Sequence, residues 1–359
     1  MKQVVHVITT ILRGGAENQL KVLVREQIRC GYQVTIYYLK KNPELQFEFE
    51  SMGAKVDDRL IGKNFINQCL IFKSLICNYS GIVHAHLPRA ELLCSVATTG
   101  KKLIVSRHNA EPFFPGAPRY FSKLLSRFVE KRARMVIAIS YAVRDFLLDS
   151  KEILEAQKVR VIHYSYDPNF GNNSKQVNLG LNSKFIVGTI ARLTPQKDLS
   201  TLIIAFQSFL VKHDDAMLLI IGSGELRIKL QSLAFDLGIS ESIIWIGRID
   251  DVKGYLEIMD IFVLPSKYEG FGLVILESIQ VGTAVIASRN SAMLEVLGEN
   301  SKALFTTGDW NELDLKLCQF RDVSNRLKLI SNQKSRLKVF EPSKMIKKFN
   351  LVYKEVQGS

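Results

Sequence analysis

The residues with the most chemistry to offer lie in Pro265-Ser266-Lys267-Tyr268-Glu269-Gly270-Phe271-Gly272-Leu273-Val274-Ile275-Leu276-Glu277. A carboxylate accepts hydroxyl pairs well, so Glu269 and Glu277 can hold two hydroxyl-bearing rings at different depths. Gly270 and Gly272 flank Phe271 in a glycine-rich turn, and the apolar run Leu273–Leu276 predicts a buried helix starting near Gly272. A buried Glu277 needs a partner; the plainer reading puts both carboxylates on a loop and a solvated helix face. Arg192 and Lys197 share the loop after the run Phe185–Ile190. A planar fork and a point charge beside a helix start make a clamp for a diphosphate, although two solvated loop charges would read the same way. Gly14-Gly15-Ala16-Glu17 opens a helix, where paired glycines let the backbone approach a phosphate or simply make a tight turn. The full G-x-G-x-x-G fingerprint is absent, which argues against a nicotinamide redox enzyme. Gly222-Ser223-Gly224-Glu225 is a second glycine turn, and Gly247 permits close approach of a flat base or of backbone. Two histidine clusters complete the set: Ser106-Arg107-His108-Asn109 and His84-Ala85-His86, each ending an apolar run. They can face a substrate or be hydrogen-bonded in a core. Their spacing is not that of a metal site, so neither metal nor cofactor is expected.

These residues need elements to hold them at common edges. Short β-branched runs recur at Val4–Thr9, Val34–Leu39, Ile82–His84, Leu103–Val105 and Met135–Ile139. The second half repeats the scheme at Phe185–Ile190, Met217–Ile221, Ile243–Ile246, Ile261–Leu264 and Ala284–Ala287. Between them lie amphipathic segments such as Ala16–Arg29, with Leu20, Leu23, Val24 and Ile28 at helical spacing. Strand–helix alternation predicts doubly wound parallel sheets with helices on both faces. The stretch Tyr166–Ser183, rich in Asn, Ser, Gly and Pro, separates the halves. The expectation is therefore an α/β chain of two Rossmann-like domains, 1–165 and 166–341, whose strand ends face each other across a ligand cleft.

Composition narrows the class. The chain has 359 residues, 47% apolar and 23% charged, as two soluble globular domains require. No run of about 18 uncharged apolar residues is present, so no membrane-spanning helix is expected. The start, Met1–Ile8, reads as a first strand rather than a signal peptide. Five scattered cysteines suggest neither a disulfide scaffold nor a zinc site, and fit the reducing cytosol. Net charge is +13, and residues 1–180 hold 26 basic and 15 acidic side chains, or +11 of it. Such a half attracts nucleic acid, an anionic membrane surface or a phosphorylated substrate. No nucleic-acid motif supports the first. The segment Arg119–Arg134 favours the second: Tyr120, Phe121, Leu124, Leu125, Phe128 and Val129 share one helical face beside the basic stripe Arg119, Lys123, Arg127, Lys131 and Arg134. The competing reading is an ordinary buried helix face.

On these motifs the chain resembles a retaining glycosyltransferase of the GT-B fold, in the fourth sequence family (group 1), of the kind that builds bacterial cell-surface polysaccharide and lipopolysaccharide. The resemblance implies that Glu269 contacts the donor sugar and Glu277 the nucleotide ribose. It likewise implies that Arg192 and Lys197 bind the diphosphate, and that Gly14, Gly15, Gly222, Gly224, Gly247, Gly270, Phe271, Gly272 and Leu273 line the donor. It gives His108 to the donor sugar from the acceptor side, with His84, His86, Arg107 and Asn109 beside it. Segment 342–359 resembles a terminal helix that returns to the first, acceptor-binding domain. Ser291–Glu295 has less glycine than the family segment, and His163–Asp167 replaces the usual interdomain turn. The implied partners are a nucleotide-sugar donor, UDP-linked in preference to GDP-mannose, and a glycan or polyprenyl-diphosphate-linked glycan acceptor. The implied place is the cytoplasm or the inner face of the cytoplasmic membrane. A nucleotide-sugar 2-epimerase and a non-catalytic polyanion-binding protein are the rival readings.

Overall fold

The computed structural model describes residues 2–98, 102–172, 175–181 and 184–358. It divides into two compact units, Met1–Ser165 with Phe340–Ser359, and Tyr166–Val339. Each is built on a parallel sheet. In the first, the strands are β1 Lys2–Ile8, β2 Tyr32–Tyr38, β3 Lys55–Asp57, β4 Ile82–His86, β5 Lys102–Arg107, β6 Met135–Ala138 and β7 Val159–Val161. Their order is β3-β2-β1-β4-β5-β6-β7. The central strands are buried on both faces, which is why Leu103–Val105 reads as a continuous apolar run and Val4–Ile8 as one broken only by His6.

The second sheet holds β8 Phe185–Ile190, β9 Ala216–Ile221, β10 Ile243–Ile246, β11 Ile261–Leu264, β12 Ala284–Ser288 and β13 Leu304–Phe305, ordered β10-β9-β8-β11-β12-β13. In both sheets the winding reverses beside the first strand, between β1 and β4 and between β8 and β11. Those switch points open a crevice at the carboxyl ends of the strands. The described part of Tyr166–Ser183 carries no strand or helix; Asn173, Ser174, Asn182 and Ser183 lie outside the described residues. Expected strands and observed strands agree within about two residues at each end, and the expected helix Ala16–Arg29 is Gly15–Arg29. The edge strands β3, β7 and β13 escaped the sequence reading, since two or three residues give no usable period.

The helix Pro342–Gly358 buries Met345, Ile346, Phe349, Val352, Tyr353 and Val356, a stripe at helical spacing. That stripe completes the core of the first unit with Leu20, Leu23 and Val24. The helix Arg119–Arg132 departs from the competing reading of an ordinary buried apolar face. Its inward face is Ser122, Ser126, Val129 and Glu130, not the predicted aromatic face. Tyr120, Phe121 and Leu124 are left 76%, 55% and 44% exposed, so only Val129 of the predicted stripe is fully buried.

Candidate active site

In the second unit the switch point gathers the two strongest motifs. After β8 the chain makes the loop Ala191–Thr194 and a turn Pro195–Lys197, then enters the helix Leu199–Lys212 through Asp198, whose φ is +47°. After β11 it turns through Ser266–Gly272 into the helix Leu273–Val281, which begins after Gly272 at φ +85° and stops at Gly282 at φ +90°. The loops are sewn together. Lys197 Nζ donates to Glu269 Oε1 at 2.5 Å, and Ser266 Oγ donates to the same oxygen at 2.7 Å. The backbone amide of Lys267 donates to the Gln196 carbonyl at 2.8 Å, and Gln196 Nε2 to the Tyr268 carbonyl at 3.0 Å. Asn290 Nδ2 and Ser288 Oγ anchor the Ser266 carbonyl from below. The Lys197 and Glu269 side chains are only 13% and 9% exposed, so the pair is largely desolvated and its geometry held. Arg192 stands exposed in the same loop, and its guanidinium makes no hydrogen bond or ion pair among the described residues. Glu277 is half-buried on the helix that the turn launches, and Phe271 in the turn is buried. Together these groups offer a free cation, a second cation held by a carboxylate, and a further carboxylate.

The glycines separate into distinct roles. Gly222 has φ +138°, and a Cβ there would stand 1.9 Å from the Ala191 carbonyl oxygen. A Cβ on Gly224 would stand 2.3 Å from the Leu193 carbonyl oxygen. Leu193 N–H donates to the Ser223 carbonyl, and Leu226 N–H to that of Leu193. This glycine turn thus buttresses the Arg192 loop, a job that the sequence reading did not assign. Gly247 is exposed, with open space where a Cβ would stand, so its own packing does not require glycine.

In the first unit, Gly14 caps the helix Gly15–Arg29 with extended backbone, φ −128°. The side chain that sits over it is Glu17, whose Oε2 would be 2.5 Å from a Cβ on Gly14. Thr10 Oγ1 donates to Glu17 Oε1 at 2.6 Å, and burial raises the Glu17 carboxyl above its ordinary range. A carboxylate therefore already occupies the helix end where a phosphate was expected.

The expected acceptor-side residues are placed differently from their assignment. His84 and His86 are 0% and 2% exposed, inside the unit rather than at an open edge. Period-two alternation and the register His6↔His84 and His86↔Ser106 put His6, His84, His86 and Ser106 on one covered face. Arg107 is also buried. It pairs with Glu91 at 2.8 Å, lies 3.7 Å from Glu152, and stacks over Phe113. The burial of Glu91 itself pushes its carboxyl up to about 7, against the opposing pull of Arg107. Asn109 alone of the four is exposed. His108 is half-buried, and both ring nitrogens are engaged: Nε2 with His86 Nδ1 at 3.3 Å, and Nδ1 with the Tyr164 hydroxyl. His6, His84 and His86 have ligating atoms within 4.8 Å of one another, as a metal would need. Each ring is nevertheless bonded at both nitrogens to other side chains, so the geometry is that of a hydrogen-bond chain.

Two doubly wound units, with a cation–carboxylate pair at a switch point, define the GT-B class. Residues 172–336 match the sequence model of the family "Glycosyl transferases group 1", and residues 13–170 that of "Glycosyltransferase Family 4". The chain belongs to the group 1 glycosyl transferases. It is 36% identical over 110 residues to an uncharacterized glycosyltransferase, MJ1607, of Methanocaldococcus jannaschii, covering 30% of this chain and 28% of that one. It is 30% identical over 128 residues to a GDP-mannose-dependent phosphatidylinositol monomannoside mannosyltransferase of Mycobacterium tuberculosis, covering 33% of each. These matches thus span about a third of the length of the curated relatives. Among solved structures, HepE of Anabaena, crystallised with UDP and glucose, superposes with a TM-score of 0.83 at 18% identity, over 99% of this chain and all of that one. At that identity the likeness establishes the fold.

Proposed function

We propose that the chain is a retaining, metal-independent glycosyltransferase. It moves a sugar from a nucleotide-diphosphate sugar to a glycan or lipid-linked glycan during cell-surface polysaccharide synthesis. The observation that carries this reading is the Lys197–Glu269 pair at the β8/β11 switch point beside exposed Arg192. In the reaction, the bond from the anomeric carbon to the β-phosphate oxygen breaks. The acceptor oxygen bonds that carbon on the same face, and its proton passes to the departing diphosphate. Arg192 and Lys197 stabilise the leaving charge, and preorganised charge is the main source of acceleration in such a step. Glu269 orients the sugar, Glu277 the ribose, and His108 a sugar hydroxyl or the acceptor. A UDP-sugar is the preferred donor, a reading supported by the crystallisation of HepE with UDP and glucose, whereas the mycobacterial relative is described as GDP-mannose-dependent.

The proposal includes work at an anionic membrane, supported by exposed Tyr120, Phe121 and Leu124 beside basic Arg119, Lys123, Arg127 and Lys131. A lipid-bearing acceptor, of the type named for the mycobacterial relative, would be met there. The test is a thermal-shift panel of UDP- and GDP-sugars. A true donor at a hundred times its dissociation constant stabilises by about 2.7 kcal/mol. The hit is then incubated with glycan acceptors and chelator, and the anomer of the product is read by NMR. No shift with any nucleotide sugar refutes the reading. Conversion of donor without acceptor would make the protein an epimerase, and an inverted product would exclude retention.

A further inference from the structure

Eight side chains of the first unit form a chain of hydrogen bonds, and only part of it touches the histidine assigned a role above. From one end it runs Tyr164 OH to His108 Nδ1, His108 Nε2 to His86 Nδ1 at 3.3 Å, and His86 Nε2 to His6 Nδ1 at 2.9 Å. It continues from His6 Nε2 to Gln27 Oε1 at 2.9 Å and from Gln27 Nε2 to Tyr353 OH at 2.9 Å. It ends with Tyr353 OH to His84 Nδ1 at 2.9 Å and His84 Nε2 to Ser106 Oγ at 2.8 Å. Burial lowers His6 to about 4 and His108 to about 3, with His84 and His86 well below the histidine range, so all four rings are neutral at pH 7. A neutral imidazole has one donor and one acceptor. The chain can therefore point only one way at a time, and the orientation of one amide decides which.

That group is the Gln27 amide. Its carbonyl faces His6, so His6 must carry its proton on Nε2 and accept at Nδ1. His86 then donates from Nε2, His108 likewise, and His108 Nδ1 is left to accept from Tyr164. On the other side of Gln27 the order is equally fixed, from the amide nitrogen through Tyr353 and His84 to Ser106. We propose that Gln27, from the helix Gly15–Arg29, is a positioning residue that fixes the tautomer of His108 through His6 and His86. His108 is thereby kept as a hydrogen-bond acceptor at Nδ1, the form that receives a saccharide hydroxyl in place of the Tyr164 hydroxyl. The saccharide part of this inference rests on the glycosyltransferase reading; the tautomer part does not. The chain transmits orientation and not charge, because no ring in it holds a second proton near neutral pH.

The experiment is nitrogen-15 NMR of the histidine rings in the full chain without ligand, assigned by single His→Gln variants. In wild type, His6, His86 and His108 should all be Nε2-protonated. Gln27→Met removes the acceptor but keeps the side-chain length, and should invert all three to the Nδ1-protonated form. Gln27→Glu keeps an oxygen acceptor whether ionised or not, and should leave the three as in wild type. In transfer assays Gln27→Met should lose roughly tenfold in kcat, about the worth of one misdirected hydrogen bond, with binding of the bare nucleotide unchanged and Gln27→Glu restoring the rate. A wild-type His108 protonated on Nδ1 overturns the inference, and so does a Gln27→Met spectrum identical to wild type. If Gln27→Met does not fold, wild type and Gln27→Glu still decide, since inversion in either contradicts the stated direction. A protein inactive on every donor refutes the glycosyltransferase reading, while the ring spectra continue to judge the tautomer.

Discussion

Replacing His6 by Gln should flatten the acid sensitivity of the first unit. His6 is wholly buried, and burial lowers its pKa from the ordinary 6.5 to about 4. The unfolded chain binds a proton there at any pH below about 6.5, whereas the folded chain waits until about 4. The stability contributed by neutral His6 is therefore complete above pH 6.5, and it is lost as pH falls through the window down to 4. At about 1.4 kcal/mol per unit, the whole window is worth about 3 kcal/mol, and about 2 kcal/mol is gone by pH 5. Wild type alone does not isolate this effect. His84, His86 and His108 act in the same direction, while Glu91, pushed up to about 7, gains stability as pH falls. The comparison of wild type with His6→Gln cancels those common contributions. Urea unfolding at pH 7.5 and pH 5 is the assay. With a slope near 2 kcal/mol per M, the wild-type midpoint should move toward lower urea by about 1 M more than that of the variant. Circular dichroism follows both units, and tryptophan fluorescence serves as a control, because Trp245 and Trp310 both lie in the second unit. Equal midpoint shifts in the two proteins would refute the reasoning.

Four further outcomes are expected. Lys197→Ala strands the nearly buried Glu269 carboxylate and should cost roughly 3 kcal/mol in stability and about a hundredfold in transfer. The pair Lys197→Met with Glu269→Gln should recover the melting temperature but not the rate, and a double variant no more stable than Lys197→Ala would contradict the pairing argument. By calorimetry, Glu277→Gln should weaken binding of bare UDP more than Glu269→Gln does, since Glu269 reaches the diphosphate only through Lys197; equal losses would show the division of roles to be wrong. Gly222→Ala should disturb the Arg192 loop and reduce donor affinity, whereas Gly247→Ala is neutral, as thermal melts with and without donor will show. In flotation assays the protein should bind anionic but not neutral liposomes, and lose binding when Lys123, Arg127 and Lys131 become Glu; a wild type that ignores anionic vesicles at low salt refutes the membrane proposal.

The architecture was legible because its strongest signals are local. Buried parallel strands read as apolar runs, and the helices between them carry the periodic stripe of one packed face. What stayed hidden were the places where one tertiary contact decides. The strand Lys55–Asp57 has no period of its own and forms because β2 is beside it. The helix Arg119–Arg132 carries a well-formed apolar face, yet its packing is made by Ser122 and Ser126. Small hydroxyl side chains let a helix approach closely, and their apolar neighbours are left outside. An apolar stripe marks a face of the helix but does not say which neighbour the backbone needs to reach.

The site divides along the same line. Glu269, Lys197 and Arg192 could be found because each stands at a strand end, where side chains leave the core and ligand chemistry concentrates. Their mutual bonding could not be found, since 72 residues separate Lys197 from Glu269 and only the adjacency of β8 and β11 closes the gap. The histidines mark the opposite case. His84 and His86 were visible as residue types, but a strand end is functional only if the side chain leaves the sheet face. These two point with His6 onto a face that Tyr353 and Phe349 cover from the far end of the chain. One clue was present: His6, His84 and His86 occupy alternate positions in otherwise apolar strands. A polar group so placed must find a partner on the same face, because leaving it unpaired costs on the order of 1–3 kcal/mol. Groups so placed on one face can bond to one another, as His6 and His86 do, and that demand favours a network over a surface site. The spacing therefore already argues for partners such as Gln27 on the covering helix, and it separates a buried chain of histidines from a set waiting for substrate.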